Sequence, residues 1–169
     1  MKEVLISTKP KWCEKICHEI GKDKTGKPIY EKRIEVRKTA PKEVPFKSYI
    51  YCSYGNDKEN YMLGGRGKVI GEFICDKVYK YEPHVILCAY YEVNGAYVKE
   101  NLRYNSGTCL SYEDMVNYSN GKPLYGWHIS DLKIYDKPLS LSELGVNRPP
   151  QSYMFVEDSI RIRNTLRIT

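Results

Sequence analysis

Apolar and polar positions alternate along this chain at two periods, and the switches between them predict its elements. Val4-Leu5-Ile6 is a short apolar run of the kind that forms a buried strand. Thr8-Lys9-Pro10 opens a helix, because proline suits a first helical turn. Trp12, Cys13, Ile16, Cys17 and Ile20 then recur at helical spacing, with Lys11, Glu14, Lys15 and Glu19 opposite, so an amphipathic helix is expected to run to Gly21. The polar stretch 22–29, with Gly26 and Pro28, reads as an exposed excursion. It leads into 32–38, which alternates as a strand: Ile34 and Val36 face one way, Arg33, Glu35 and Arg37 the other. Pro41 and Pro45 end that strand, and Tyr49–Cys52 is the next.

Residues 53–67 read as a connection, and their glycines lack the G-x-x-x-x-G-K-[ST] order of a phosphate loop. The stretch 68–81 predicts one long strand with a bulge at Gly71. Two more strands, 84–92 and 96–103, are expected around an Asn94-Gly95 hairpin turn. Ser111 caps a second short helix, with Asp114 at the capping-box position and Gly121 closing it. Residues 127–130 and 132–135 are strand material, Pro138 introduces a turn, and 153–156 forms a last strand before an exposed basic end at about 158–169. Six to eight short strands and two short helices make an α+β chain, expected to form a small, partly closed β-barrel.

A length of 169 residues suits one domain, residues 1–169, with its own core. The net charge of +6 sharpens the picture, because residues 1–48 alone hold thirteen Lys/Arg against seven Asp/Glu. A basic third around a patterned strand is the footprint of a surface that faces phosphates. Sixteen tyrosines against three phenylalanines suit half-buried strands and ligand-facing surfaces. The six cysteines form no C-x-x-C pair. Cys13 and Cys17 share the apolar stripe of the first helix, so they read as small core residues rather than as metal ligands with His18. Neither a leader segment nor a membrane-length apolar run is visible. Reduced thiols in a cytoplasm, with no metal and no cofactor, are therefore expected.

Taken in order, Leu5-Ile6-Ser7, Lys9-Pro10-Lys11, the Lys32-x-x-Glu35-x-Arg37 strand and the Val69-Ile70-Gly71-Glu72 strand resemble the ASCH domain family of the PUA-like superfamily. The segments 127–138 and 148–152 look like versions of this domain in phages and prophages of Gram-positive bacteria. The resemblance covers most of residues 3–157. It implies a β-barrel with a cleft beside the first helix that binds RNA or a modified base. One branch of the family resembles small amidohydrolases acting on acylated cytidine, and another is linked to RNA cleavage. The hydrolase branch uses a Lys-x-x-Thr pattern with a threonine nucleophile. Here the matching positions are Lys32 and Glu35, and a longer polar excursion stands where relatives have a tight turn.

On the residues themselves, Glu35 flanked by Arg33 and Arg37 can accept a base's amino group while an arginine reaches phosphate. Lys9, Lys11, Lys32 and Lys38 supply further point charges, and Trp127, after Gly126, is a candidate stacking surface. No serine or cysteine triad, metal-ligand cluster or complete phosphate loop accompanies them. The leading expectation is therefore a module that binds RNA, single-stranded nucleic acid or a nucleotide-like ligand. The second is a small hydrolase or ribonuclease using Lys32 and Glu35, and the third a phage protein that binds a host protein. No membrane association is expected.

Overall fold

The computed structural model describes residues 1–55, 59–82, 85–93, 96–100 and 107–156, with the two stretches between 85 and 100 described by their backbone. In chain order the elements are β1 (Glu3–Thr8), α1 (Pro10–Cys17), β2 (Glu19–Lys22), β3 (Pro28–Tyr30), β4 (Ile34–Arg37), β5 (Phe46–Cys52), β6 (Lys68–Cys75) and β7 (Val78–Glu82). They continue with β8 (Val85–Val93), β9 (Ala96–Glu100), α2 (Tyr112–Ser119), β10 (Leu124–His128), β11 (Ser130–Leu139), a 3-10 turn (Leu141–Leu144) and β12 (Tyr153–Phe155). The chain divides into two compact units. One comprises Met1–Glu14, Phe46–Phe73 and Asp131–Thr169, the other Lys15–Pro45 and Ile74–Ser130.

The first unit is built on a five-stranded sheet in the order β11-β6-β5-β1-β12. β1 runs parallel to β5, pairing Leu5 with Tyr49 and Ser7 with Tyr51, so alternate residues of both strands share a face. Leu5, Tyr49, Tyr51 and Val69 bury that face with Leu144, Val146 and Val156. Gly71 of β6 answers a close approach: a Cβ there would stand 2.4 Å from the carbonyl oxygen of Lys133. Gly71→Ala should therefore push β11 away and cost about 1–3 kcal/mol, read as a lower urea midpoint. The connection after β5 is organised by Arg66, whose guanidinium donates to the carbonyls of Tyr61 (2.7 Å), Tyr54 (3.2 Å) and Glu59 (2.6 Å). That guanidinium ties its own loop together.

The second unit carries a five-stranded sheet in the order β4-β10-β7-β8-β9. Ile34, Val36, Tyr79, Tyr81 and Leu124 form its apolar core with Met115 of α2. Gly126 of β10 leaves room for them, since a Cβ there would stand 2.7 Å from the Ile34 side chain. Helix α2 has the expected capping box between Ser111 and Asp114, and Asn120 and Gly121 both take positive φ beyond its end. Among the described residues β2 and β3 pair only with each other, as an antiparallel ribbon.

Several expectations change. The first helix ends at Cys17 rather than Gly21, because residues 19–22 pair with 28–30, and Ile20 is 60% exposed instead of continuing the apolar stripe. The excursion at 22–29 is thus the end of a hairpin. The long strand 68–81 is two strands, and β6 and β7 belong to different sheets. Pro138 lies inside β11, an edge strand, where a missing N–H breaks no ladder. Twelve strands stand among the described residues instead of six to eight. They form two open five-stranded sheets and a ribbon, so no closed barrel is seen among them. β8 and β9 pair antiparallel as expected. The Asn94-Gly95 turn and the basic end at 158–169 lie outside the described residues.

Candidate functional site

β4 is an edge strand of its sheet, and its register against β10 sets the site. Glu35 lies opposite Trp127 and Arg37 opposite Tyr125, so these four side chains share the face turned away from Ile34 and Val36. The chain bends before the strand: the N–H groups of Arg33 and Ile34 both donate to the carbonyl of Gly107, at 2.7 and 2.9 Å. Two successive amides on one acceptor are incompatible with an extended pleat. The bend carries Lys32 back to Glu35 and leaves Arg33 exposed along Gly107.

The resulting cluster is Lys32, Glu35 and Arg37, with relative exposures of 4%, 5% and 6%. The Lys32 ammonium pairs with one carboxylate oxygen of Glu35. Arg37 holds the other at 3.0 Å. Burial pushes the Glu35 carboxyl upward, but the charges and hydrogen bonds of Lys32 and Arg37 outweigh it and hold the group below the ordinary carboxylate range. Glu35 is thus an ionised acceptor at neutral pH, unsuited to giving up a proton. The alternation of the sequence anticipated two cations around Glu35 but named Arg33 where Lys32 stands. Only the bend at Gly107 corrects that choice.

Trp127 is fully buried, and its indole N–H donates to the carbonyl of Thr39 at 3.2 Å. It is a wall beside Glu35, and a stacking role would require it to be uncovered. At the exposed end of β4 the Lys38 ammonium stands 4.8 Å from the centroid of the Tyr118 ring. Tyr118, 37% exposed on α2, is an aromatic that the strand pattern does not single out. Lys9 and Lys11 belong to the other unit and are exposed. The Lys11 ammonium lies 5.1 Å from the ring centroid of Trp12, which is half-buried instead of sitting in the core. His128 is hydrogen-bonded through Nδ1 to Asp76 at 2.5 Å.

The first unit has its own polar cluster, centred on Glu72. Glu72 accepts from Tyr135 Oη at 2.6 Å and pairs with Lys47 at 3.0 Å, tying β11, β6 and β5 together. Cys13, Cys17, Cys52, Cys75 and Cys109 are in no disulfide among the described residues. Burial pushes Cys75 up to about 12 and raises Cys109, so neither is an activated nucleophile. Among the described residues no group of three or more His, Cys, Asp and Glu is placed to hold a metal ion, and no helix is long and apolar enough to cross a membrane.

No protein-family profile matches the chain, and no curated protein does. Solved structures do. The chain shares the α+β fold of solved ASCH structures. It is similar to ASCH from Zymomonas mobilis at 18% identity and a TM-score of 0.64, over 98% of this chain and 94% of that one. A point variant of the same Zymomonas mobilis protein matches at 17% identity and a TM-score of 0.65, over 98% of each chain.

Proposed function

We propose that this chain is a nucleic-acid or modified-nucleotide binding module of the ASCH type, with Glu35 as its base-reading acceptor. The observation that carries the reading is the buried Lys32–Glu35–Arg37 cluster on an edge strand. Burying three charges is costly, and well-packed apolar residues hold a sheet at least as well. The cluster is therefore read as kept for recognition. An ionised carboxylate oxygen has two acceptor directions, so Glu35, buried as it stands, takes an exocyclic amino group when the cluster opens to the ligand. Lys38 and Arg33 are the candidate phosphate contacts of the second unit, Lys9 and Lys11 those of the first by itself, and RNA or another single strand is the favoured ligand. The hydrolase reading transfers poorly, because a doubly paired carboxylate occupies the position of the nucleophilic threonine.

The test is fluorescence anisotropy with a panel of short RNAs and nucleoside monophosphates, including acylated cytidines, with products followed in parallel. Lys38→Ala, an exposed change, should weaken all RNAs alike and flatten the salt dependence by roughly one phosphate contact. Glu35→Gln, studied cold and verified as folded by circular dichroism, should lose about 1–3 kcal/mol for the preferred base alone. Turnover by the wild type that disappears in both Lys32→Ala and Glu35→Gln would replace the binding module with an enzyme.

A further inference from the structure

Among the described residues the ribbon formed by β2 and β3 pairs with neither large sheet, and every residue from His18 to Ile29 is exposed. A lone two-stranded hairpin is marginally stable in water, so one that is kept must be held by something. This one is held at both ends. At its turn the Asp23 carboxylate accepts from Thr25 N (2.8 Å), Thr25 Oγ1 (2.6 Å) and Lys27 N (3.0 Å). Gly26 N also donates to Asp23 O at 3.0 Å, with Gly26 at φ +83°. At its base Glu31 meets Lys15 and His18, each at 3.1 Å, and Glu31 N donates to His18 O at 2.9 Å.

The far end of this braced ribbon carries Lys22, Lys24 and Lys27 within six positions. The single carboxylate among them, Asp23, is spent on the turn. Asp23 is exposed and ionised, so the tip keeps a net charge of +2 from three lysines against one carboxylate. Two-stranded ribbons and lysine-rich tips both suit a nucleic-acid backbone. The ribbon is also contiguous with the candidate site, since β3 ends at Tyr30 and Lys32 follows two residues later.

We infer that residues 19–30 form a phosphate-tracking arm and that the ligand is a polynucleotide long enough to touch both the arm and the Glu35 cluster. This inference rests on the nucleotide-binding reading of that cluster. Three to four strand residues and a turn give the arm a reach of about 15 Å. At about 3.4 Å per stacked nucleotide, a ligand engaging both ends needs roughly five nucleotides. Arm contacts through lysine carry no base preference, so the arm adds affinity and the cluster adds selection.

The experiment compares the four nucleoside monophosphates with mixed-sequence RNAs of three, six and twelve nucleotides, using the full chain at several salt concentrations. The wild type should bind the hexamer on the order of tenfold tighter than the best mononucleotide, with little further gain at twelve. The triple variant Lys22→Ala, Lys24→Ala, Lys27→Ala should lose that gain, and its log-log salt slope should drop by about 2, while mononucleotide affinity stays as it was. A hexamer-to-mononucleotide ratio unchanged in the triple variant overturns the arm and leaves the cluster standing. Length-dependent, lysine-dependent binding that ignores Glu35→Gln keeps the arm and removes the base-reading cluster. Failure of every RNA to bind at low salt overturns the arm as well.

Discussion

Glu35→Gln should lower the unfolding free energy by about 3–5 kcal/mol at neutral pH, because it leaves Lys32 and Arg37 buried around a neutral amide. The measurement is urea unfolding of both proteins across pH. Since the folded-state carboxyl of Glu35 is depressed, its contribution is complete above the ordinary carboxylate value of about 4.3 and is lost as pH falls through the folded value. The gap between wild type and variant should therefore close on acidification, protonated Glu35 being as neutral as glutamine. A gap that stays constant down to low pH would mean that Glu35 is not held as an ion. The stability loss also separates two kinds of outcome in binding assays: a generally loosened unit weakens all ligands, a missing acceptor only those that use it.

Trp127→Ala is the second large effect. The ring is fully buried on the same sheet face as Glu35, so truncation leaves a cavity and should cost about 3–5 kcal/mol. Trp127→Phe should recover most of the packing and retain a deficit of about 1 kcal/mol from the Thr39 carbonyl that loses its indole donor. If Trp127→Ala instead leaves the midpoint unchanged and abolishes RNA binding, the ring is uncovered in solution and acts as a stacking surface.

How far these features could be read in advance differs from element to element. The alternation at 34–37, the Ser111–Asp114 capping box and the strand at 49–52 are local patterns, and the chain forms them where they stand. The end of α1 was not legible, because Ile20 fits a helical stripe and the pairing of 19–22 with 28–30 is decided by a turn that Asp23 organises. The split of 68–81 was hidden for a related reason: strand propensity runs through Cys75 to Lys77, and only the two sheets decide where one strand stops and the next begins. At the candidate site, residue types and region were legible and the partner was not. Parity assigns Arg33 to the face of Glu35 as long as 32–38 is a single pleat, and a carbonyl from Gly107, more than seventy residues away, breaks that pleat. Tyr118 escaped notice because its helix has no sequence link to Lys38.

The braced ribbon bears on how such a protein can diversify. Its two strands leave and return as neighbours, every position from 18 to 29 faces solvent, and none of those residues belongs to either hydrophobic core. Exposed hairpins of this kind accept changes of length and composition without altering the packing beneath them. The length and charge of this segment can therefore drift by insertion, deletion or exchange while Lys32, Glu35 and Arg37 remain in place. The same property makes it a natural graft point for engineering, where a donor hairpin would inherit a base already clamped by Glu31.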